Sequence, residues 1–313
     1  VNLGHWLSPS EVRGEERAKH IDEEDVKRLK EFGFDHVRIP IDEVQFWDED
    51  GNKLQEAWDL LTKTLDNLQK HQMRAIVDLH IIRSHYFNAV NEEGTNSLFE
   101  DDKALEQFIN LWAQLSEVLK KYPNSMVAYE FLNEPVADAP EQWNALIVKV
   151  HKALRTLEPE RVLVIGSNRW QGVGTFKDLK VPENDPNIIL SFHYYEPFVM
   201  THYNAHWTPM GEYNGKVDYP GAMISQEDFN KQTDKVKQQV EQYTKEWNKD
   251  TLNAQIQQAV VVAKKYNLPL ICGEWGYYEK SPKEPSLRWM KDMIAVFDEN
   301  NLAWDLWCYD GDF

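Results

Sequence analysis

The chain is poor in the features that would assign it quickly to a class. Only two cysteines occur in 313 residues, Cys272 and Cys308, each inside an apolar run, so a disulfide framework is excluded and both read as small core residues. No apolar run approaches the roughly 20 residues needed to cross a bilayer, which excludes a membrane-spanning role. Basic residues are in deficit: 34 Lys and Arg against 52 Asp and Glu give a net charge of -18. Nucleic acid is therefore not an expected partner, since a phosphate backbone selects clustered cations. The acids are scattered along helix candidates rather than gathered in a tail, as a solvated surface requires. There is no G-x-G-x-x-G dinucleotide turn and no G-x-S-x-G nucleophile elbow. The sequence opens at VNLGHWL without a basic, apolar leader, so a signal peptide has either been removed or never existed.

What is present is alternation. Short apolar runs at 1–4, 36–40, 74–80, 127–132, 161–166, 188–194, 268–274 and 302–307 are eight strand candidates. Between them lie helix candidates at 22–32, 56–71, 103–121, 142–156, 252–266 and 286–300, several opened by acids that suit a helix N-terminus. Eight strands alternating with helices, and no interrupting linker, predict one α/β domain over 1–313: a (β/α)8 TIM barrel. Two irregularities follow. The segment from Tyr195 to about Asn230 is long and aromatic (Phe198, Tyr203, Trp207, Tyr213, Tyr219), which points to a functional insertion. The chain stops six residues past the last strand candidate, which leaves no room for a closing eighth helix.

A barrel builds its active site from the C-terminal ends of its strands. Those ends carry Arg38, His80, Asn133 with Glu134, Trp170, His193 with Tyr195, Glu274 with Trp275, and Trp307. Asn133-Glu134-Pro135 has a modest reading as turn chemistry, because proline ends a strand. Paired with Glu274, however, Glu134 supplies the two carboxylates that flank a bond during glycoside hydrolysis. At the ~5.5 Å separation of retaining enzymes, their repulsion is about 3 kcal/mol at an effective dielectric near 20, or roughly two pKa units. One of them then keeps its proton near neutrality. A guanidinium and a phenol stabilise a charged carboxylate; assigned to Glu274, Arg38 and Tyr195 make it the nucleophile and leave Glu134 as the acid.

Other carboxylates compete less well. Glu130 lies four residues, or about 13 Å, deeper along its strand. Asp78 and Asp305 are also below the rim and suit paired structural roles, whereas Asp42 and Glu196 are weaker candidates at loop height. His80 and His85 within HIIRSH could suggest a metal, but they start at a strand end rather than on a helix that would align them, so no metal is expected. His80 and His193 suit hydrogen bonds to the nucleophile's surroundings or to a sugar hydroxyl; His85 and Tyr86 follow as substrate contacts. Twelve tryptophans exceed the needs of a core, and flat aromatic faces suit sugars. Trp58, Trp112, Trp143, Trp289 and Trp304 fit packing faces. Trp6, Trp170, Trp207, Trp275 and Trp307 form the rim set, with Trp307, Trp207 and Trp170 as the expected sugar platforms.

Taken in order, VNLGHWL, GFDHVRIPID, VDLH, EFLNEP, SFHYYEP, CGEWG and the final Trp307 resemble glycoside hydrolase family 5, the large cellulase family of clan A. The resemblance implies a retaining mechanism, with the Glu of NEP as acid/base and the Glu of GEWG as nucleophile. It also implies that Arg38, His80, Asn133, His193, Tyr195 and Trp307 complete the active site. FVMTHYNAHW and VDYPG are similar to the insertion of bacterial endoglucanases acting on β-1,4-glucans. The expectation is then a cofactor-free, monomeric and exported endo-glycosidase acting on cellulose-like or mixed-linkage β-glucan, the alternative being the same mechanism on another β-glycan such as xyloglucan, mannan or xylan. A catalytically weak carbohydrate-binding barrel is the rival from another class.

Overall fold

A computed structural model describes residues 1–88 and 96–313. Seven parallel strands run in chain order around a sheet: β1 (His36–Asp42), β2 (Arg74–Ile81), β3 (Val127–Glu130), β4 (Leu163–Gly166), β5 (Ile188–His193), β8 (Leu270–Trp275) and β9 (Ala303–Leu306). The remaining two, β6 (Gly221–Ala222) and β7 (Glu246–Trp247), pair with each other in an antiparallel ribbon. The gap between β1 and β9 is filled by Val1–Leu3. Arg38 N donates to Val1 O and Leu3 N to Arg38 O, both at 2.9 Å, while Asn2 N donates to Leu306 O at 2.9 Å. The first strand candidate is thus the eighth stave, although only its Asn2 makes a ladder bridge.

Strand periodicity sorts the side chains into two environments. Val37, Ile39, Ile41, Val77, Leu79, Tyr129, Leu163, Ile165, Leu190 and Phe192 belong to the large core shared with the surrounding helices. The alternate residues point inward. A separate apolar plug of Ile76, Ala128, Val164 and Ile271 fills the lower barrel. Two residues higher on β2 and β3 stand Asp78 and Glu130, which are register partners. Burying charge above an oily plug is costly unless it is paired, so this polar layer demands a counter-ion.

The helices fall at Glu23–Glu31, Gln55–Lys70, Asp102–Leu119, Pro140–Leu157, Lys249–Tyr266 and Lys283–Glu299, within a few residues of the sequence expectation. Asp22 caps the first of them, accepting from Glu24 N and Asp25 N. No helix follows β9 among the described residues. The segment after β5 departs from the expected loop: it contains α-helices at Phe198–Thr201, Gln226–Lys231 and Asp234–Val240, as well as the ribbon. Its aromatics mostly pack it, since Tyr213 and Tyr219 are fully buried, and Tyr219 Oη donates to Asp292 Oδ2 at 2.7 Å to dock the insertion on the Lys283–Glu299 helix. Of the five aromatics read there as functional, Trp207 stands out as an exposed ring. Cys272 and Cys308 are free and buried.

Candidate active site

The counter-ion is Arg38, completely buried in the barrel. Its guanidinium lies 2.7 Å from Glu130, 2.9 Å from Asp78 and 2.7 Å from Glu274. It also donates to Asn2 Oδ1 at 3.0 Å and Asn133 Oδ1 at 2.9 Å. One cation therefore faces three carboxylates directly, with Glu134 beyond them. That imbalance is visible in Asp78, whose carboxyl is pushed up to about 7 by burial despite the Arg38 contact. Asp78 Oδ2 is also bonded to His80 Nδ1 at 2.8 Å, and burial drops His80 to about 3, so that its ring is neutral.

Glu274, near the end of β8, is held on both oxygens. Arg38 Nη1 donates to Oε1 at 2.7 Å, and Tyr195 Oη donates to Oε2 at 3.0 Å. Burial, followed by the Glu274 charge, raises the Tyr195 phenol well above its ordinary value, so it remains a donor. Glu134 has no such partners. One carboxylate oxygen meets His193 Nδ1 at 2.8 Å, and His193 is held neutral by burial and then by the Arg38 charge. Burial first and the Glu274 charge second push Glu134 far up; burial raises Glu274 too, but the Arg38 charge pulls it back. The proton shared by this pair therefore resides on Glu134.

The backbone that aims Glu134 is strained. Its φ is 45°, in the left-handed region that non-glycine residues avoid at a cost of about 1–3 kcal/mol, and Pro135 adds a further restriction. Trp307 N is tied to Trp275 O at 2.8 Å, and its indole stacks on His80 with centroids 5.4 Å apart. Gly4 makes that position accessible, because a Cβ there would lie 3.2 Å from the Trp307 ring.

The structure brings together Arg38, His80, Asn133, Glu134, His193, Tyr195, Glu274 and Trp307. Trp170 and Trp207 flank them as exposed rings, 38% and 47% accessible. Trp170 Nε1 bonds Phe87 O at 2.9 Å, and Trp207 leans edge-on against Tyr278. Tyr86 is half-buried beside Phe87, which itself meets the His80 ring.

Three expectations are corrected. His85 is fully buried, with both ring nitrogens unpartnered, and packs against Phe99; it has no surface to offer a substrate. Trp6 and Trp275 are core residues rather than rim residues, because the Trp6 indole donates to Arg17 O and Trp275 is enclosed by Trp289, Phe297 and Trp304. Glu130 was expected about 13 Å deeper along an extended strand, but β3 ends at that residue and its carboxylate shares Arg38 with Glu274 and Gln171 with Glu134 N. Asp305 has the paired structural role expected of it, accepting from Val1 N and facing His36, and Glu196 accepts from Tyr243 Oη and Phe198 N. Asp42 is buried, its carboxyl raised to about 7 by that burial.

Two contributors went unread in the sequence. Asn2 fixes Arg38, and Gln171 accepts from Glu134 N at 2.9 Å. A polar residue inside the apolar VNLG run was a signal for the first; nothing local marked the second. Glu134, His193 and Glu274 could also hold a cation, since one donor atom from each lies within 4.8 Å of the others. Arg38 already neutralises Glu274 there, and a second cation beside a guanidinium would meet Coulomb repulsion.

Comparisons with known proteins converge. The family described as Cellulase (glycosyl hydrolase family 5) matches residues 7–312. Endoglucanase C of Acetivibrio thermocellus is 30% identical, with 99% of this chain and 90% of that protein covered. Cellodextrinase A of Ruminococcus flavefaciens is 28% identical, covering 97% and 82%. A hyperthermophilic endo-beta-1,4-glucanase solved in complex with substrate is 26% identical, with a TM-score of 0.78 over 100% of this chain and 89% of that one. Endoglucanase Cel5A of Thermotoga maritima, 24% identical with a TM-score of 0.77 over 100% of this chain and 90% of that one, shares the fold.

Proposed function

Because the chain belongs to glycosyl hydrolase family 5, the cellulase family, and is a glycoside hydrolase, we propose that it cleaves internal bonds of β-1,4-glucan by a retaining double displacement. The observation that carries this reading is the asymmetric pair. Glu134 and Glu274 present oxygens within 4.8 Å of each other, and only Glu274 has Arg38 and Tyr195 on it. Retaining enzymes hold their carboxyls at about 5–5.5 Å; inverting enzymes need about 6.5–9.5 Å to admit a water.

In the first step a Glu274 oxygen attacks the anomeric carbon as the bond to the glycosidic oxygen breaks, and Glu134 gives its proton to that departing oxygen. In the second, Glu134 takes a proton from water, whose oxygen displaces Glu274 from the sugar and restores both groups. Tyr195 and Arg38 steady the Glu274 charge before attack and after release. With its Oδ1 fixed on Arg38, Asn133 has its NH2 left to meet the sugar 2-hydroxyl. Trp307 forms the floor beneath the reacting ring, while Trp170 and Trp207 receive flanking sugars. The whole chain works as one catalytic unit, and a polymeric substrate favours action outside the cell.

The test uses an activated aryl cellobioside. Glu134→Ala should still form the glycosyl-enzyme and be rescued by azide, giving a product of retained configuration; an inverted azide product would reassign Glu134 as nucleophile. Reducing ends released from barley glucan, cellulose, xyloglucan, xylan and mannan would rank the substrates. Wild-type release no greater than that of Glu134→Gln would instead favour the binding-protein reading.

A further inference from the structure

We propose that Gln171 is a positioning residue for the acid/base Glu134, holding both the carboxyl-bearing backbone and its histidine partner in register with the nucleophile. This rests on the acid/base reading of Glu134 above. Gln171 is fully buried and lies in a run of three non-glycine residues, Arg169, Trp170 and Gln171, with φ of 57°, 60° and 53°. Three consecutive left-handed residues are uncommon outside glycine-rich turns. Such a turn persists only where its surroundings over-determine it.

What over-determines it is the acid. Gln171 Oε1 accepts from Glu134 N at 2.9 Å, the one backbone donor at the strained φ of 45°. Its Nε2 donates to Glu130 Oε1 at 3.1 Å. Glu130 in turn takes Arg38 Nε at 2.7 Å, and Arg38 Nη1 reaches Glu274 at 2.7 Å. A continuous path of hydrogen bonds thereby links the peptide of the acid to the carboxylate of the nucleophile. The main chain adds a second tie, because Gln171 O accepts from His193 N at 3.0 Å and His193 Nδ1 meets Glu134 Oε1 at 2.8 Å. Both ends of the acid, peptide and carboxyl, are thus referred to this one residue.

The seat is specific. Across from Gln171, Gly166 ends β4, and a Cβ there would lie 2.3 Å from Gln171 Cγ. The same turn sets Trp170 outward, its N–H on Pro135 O at 3.3 Å and its indole on Phe87 O. Fixing the acid and presenting an exposed ring are therefore two faces of one three-residue device.

A side chain that aims an acid matters in proportion to how much acid help the leaving group needs. General acid catalysis contributes about 10²–10⁴-fold, so misaiming Glu134 without removing it should forfeit roughly 10- to 100-fold. Gln171→Leu removes both side-chain bonds. Gln171→Glu keeps an acceptor for Glu134 N, and its protonated form can still donate to Glu130. Both are measured beside wild type and Glu134→Gln, with thermal melting to confirm folding, on cello-oligosaccharide and on dinitrophenyl cellobioside, whose leaving group needs no proton.

For Gln171→Leu the expected result, read as kcat/KM so that only the acid-assisted first step is compared, is a fall of about 10- to 100-fold on the oligosaccharide and less than about threefold on the aryl substrate. Gln171→Glu should recover most of the loss at acid pH. Equal loss on both substrates, or none on either, would overturn the positioning role. If Glu134→Gln itself showed no leaving-group dependence, the acid/base assignment would fail instead. Should Gln171→Leu not fold, the Gln171→Glu profile decides alone: a leaving-group-independent defect, or wild-type rates at every pH, refutes the proposal.

Discussion

Replacing Arg38 by leucine removes the guanidinium that, among the described residues, is the only Lys or Arg charge touching Asp78, Glu130 and Glu274, and the consequence can be sized. Arg38 contacts Glu274 at 2.7 Å. A pair of unit charges about 4 Å apart, centre to centre, is worth about 4 kcal/mol at an effective dielectric of 20, or roughly three pKa units. Asp78 and Glu130 would take up protons in the variant and recover part of this, so the Glu274 carboxyl should rise by about two units. The acidic limb of kcat/KM, which reports ionisation of the nucleophile, should move up by the same amount. Below that limb the rate falls about 100-fold, since each unit is tenfold. The assay is the pH profile on dinitrophenyl cellobioside, where the acid contributes little and cannot obscure the nucleophile. Stability must fall as well, by about 3–5 kcal/mol for an uncompensated buried charge. The sign follows from linkage: carboxyls whose folded pKa is raised bind protons that the unfolded chain releases, so the loss grows as pH rises. A folded Arg38→Leu protein whose acidic limb stays within about half a unit of wild type, far short of the expected shift, would refute the placement of charge described here.

His85→Leu should stabilise the protein at mildly acid pH. Burial depresses this histidine from 6.5 to about 3, so the unfolded chain binds a proton below 6.5 that the folded chain refuses, and stability is lost as pH falls through that window; at about 1.4 kcal/mol per unit, urea unfolding at pH 5 against pH 7 should show a smaller acid penalty in the variant, and an equal penalty would contradict this. Trp207→Ala should raise KM for polymeric glucan about fivefold, from roughly 1 kcal/mol of lost stacking, with a smaller effect on an aryl cellobioside. Excess EDTA should leave the rate unchanged; chelator-sensitive activity restored by a divalent cation would place an ion at Glu134, His193 and Glu274.

Much of the site was legible because a barrel converts chain order into geometry. Once eight strands are counted, the residue ending each one must lie on a common rim, so Glu134 and Glu274 become neighbours although 140 positions apart. Insertion aromatics and rim tryptophans were less legible, since a large ring reads the same whether it faces a sugar or a neighbouring helix. His85 illustrates the same ambiguity: four residues past the end of β2 its ring is buried and packs against Phe99 rather than being offered to the cleft. Gln171 carried no local signal, because its role depends on a left-handed turn that alternation and propensity do not encode.

The sequence by itself determined the strand count, the helix positions and the chemical inventory of the rim, because periodicity and residue type are local properties. Only the tertiary structure decided how charge is shared. One buried guanidinium sits among Asp78, Glu130 and Glu274, and its contact with Glu274 but not with Glu134 assigns the proton to Glu134. Energies of that kind depend on distance and burial, and both arise only when strands remote in sequence close into a barrel.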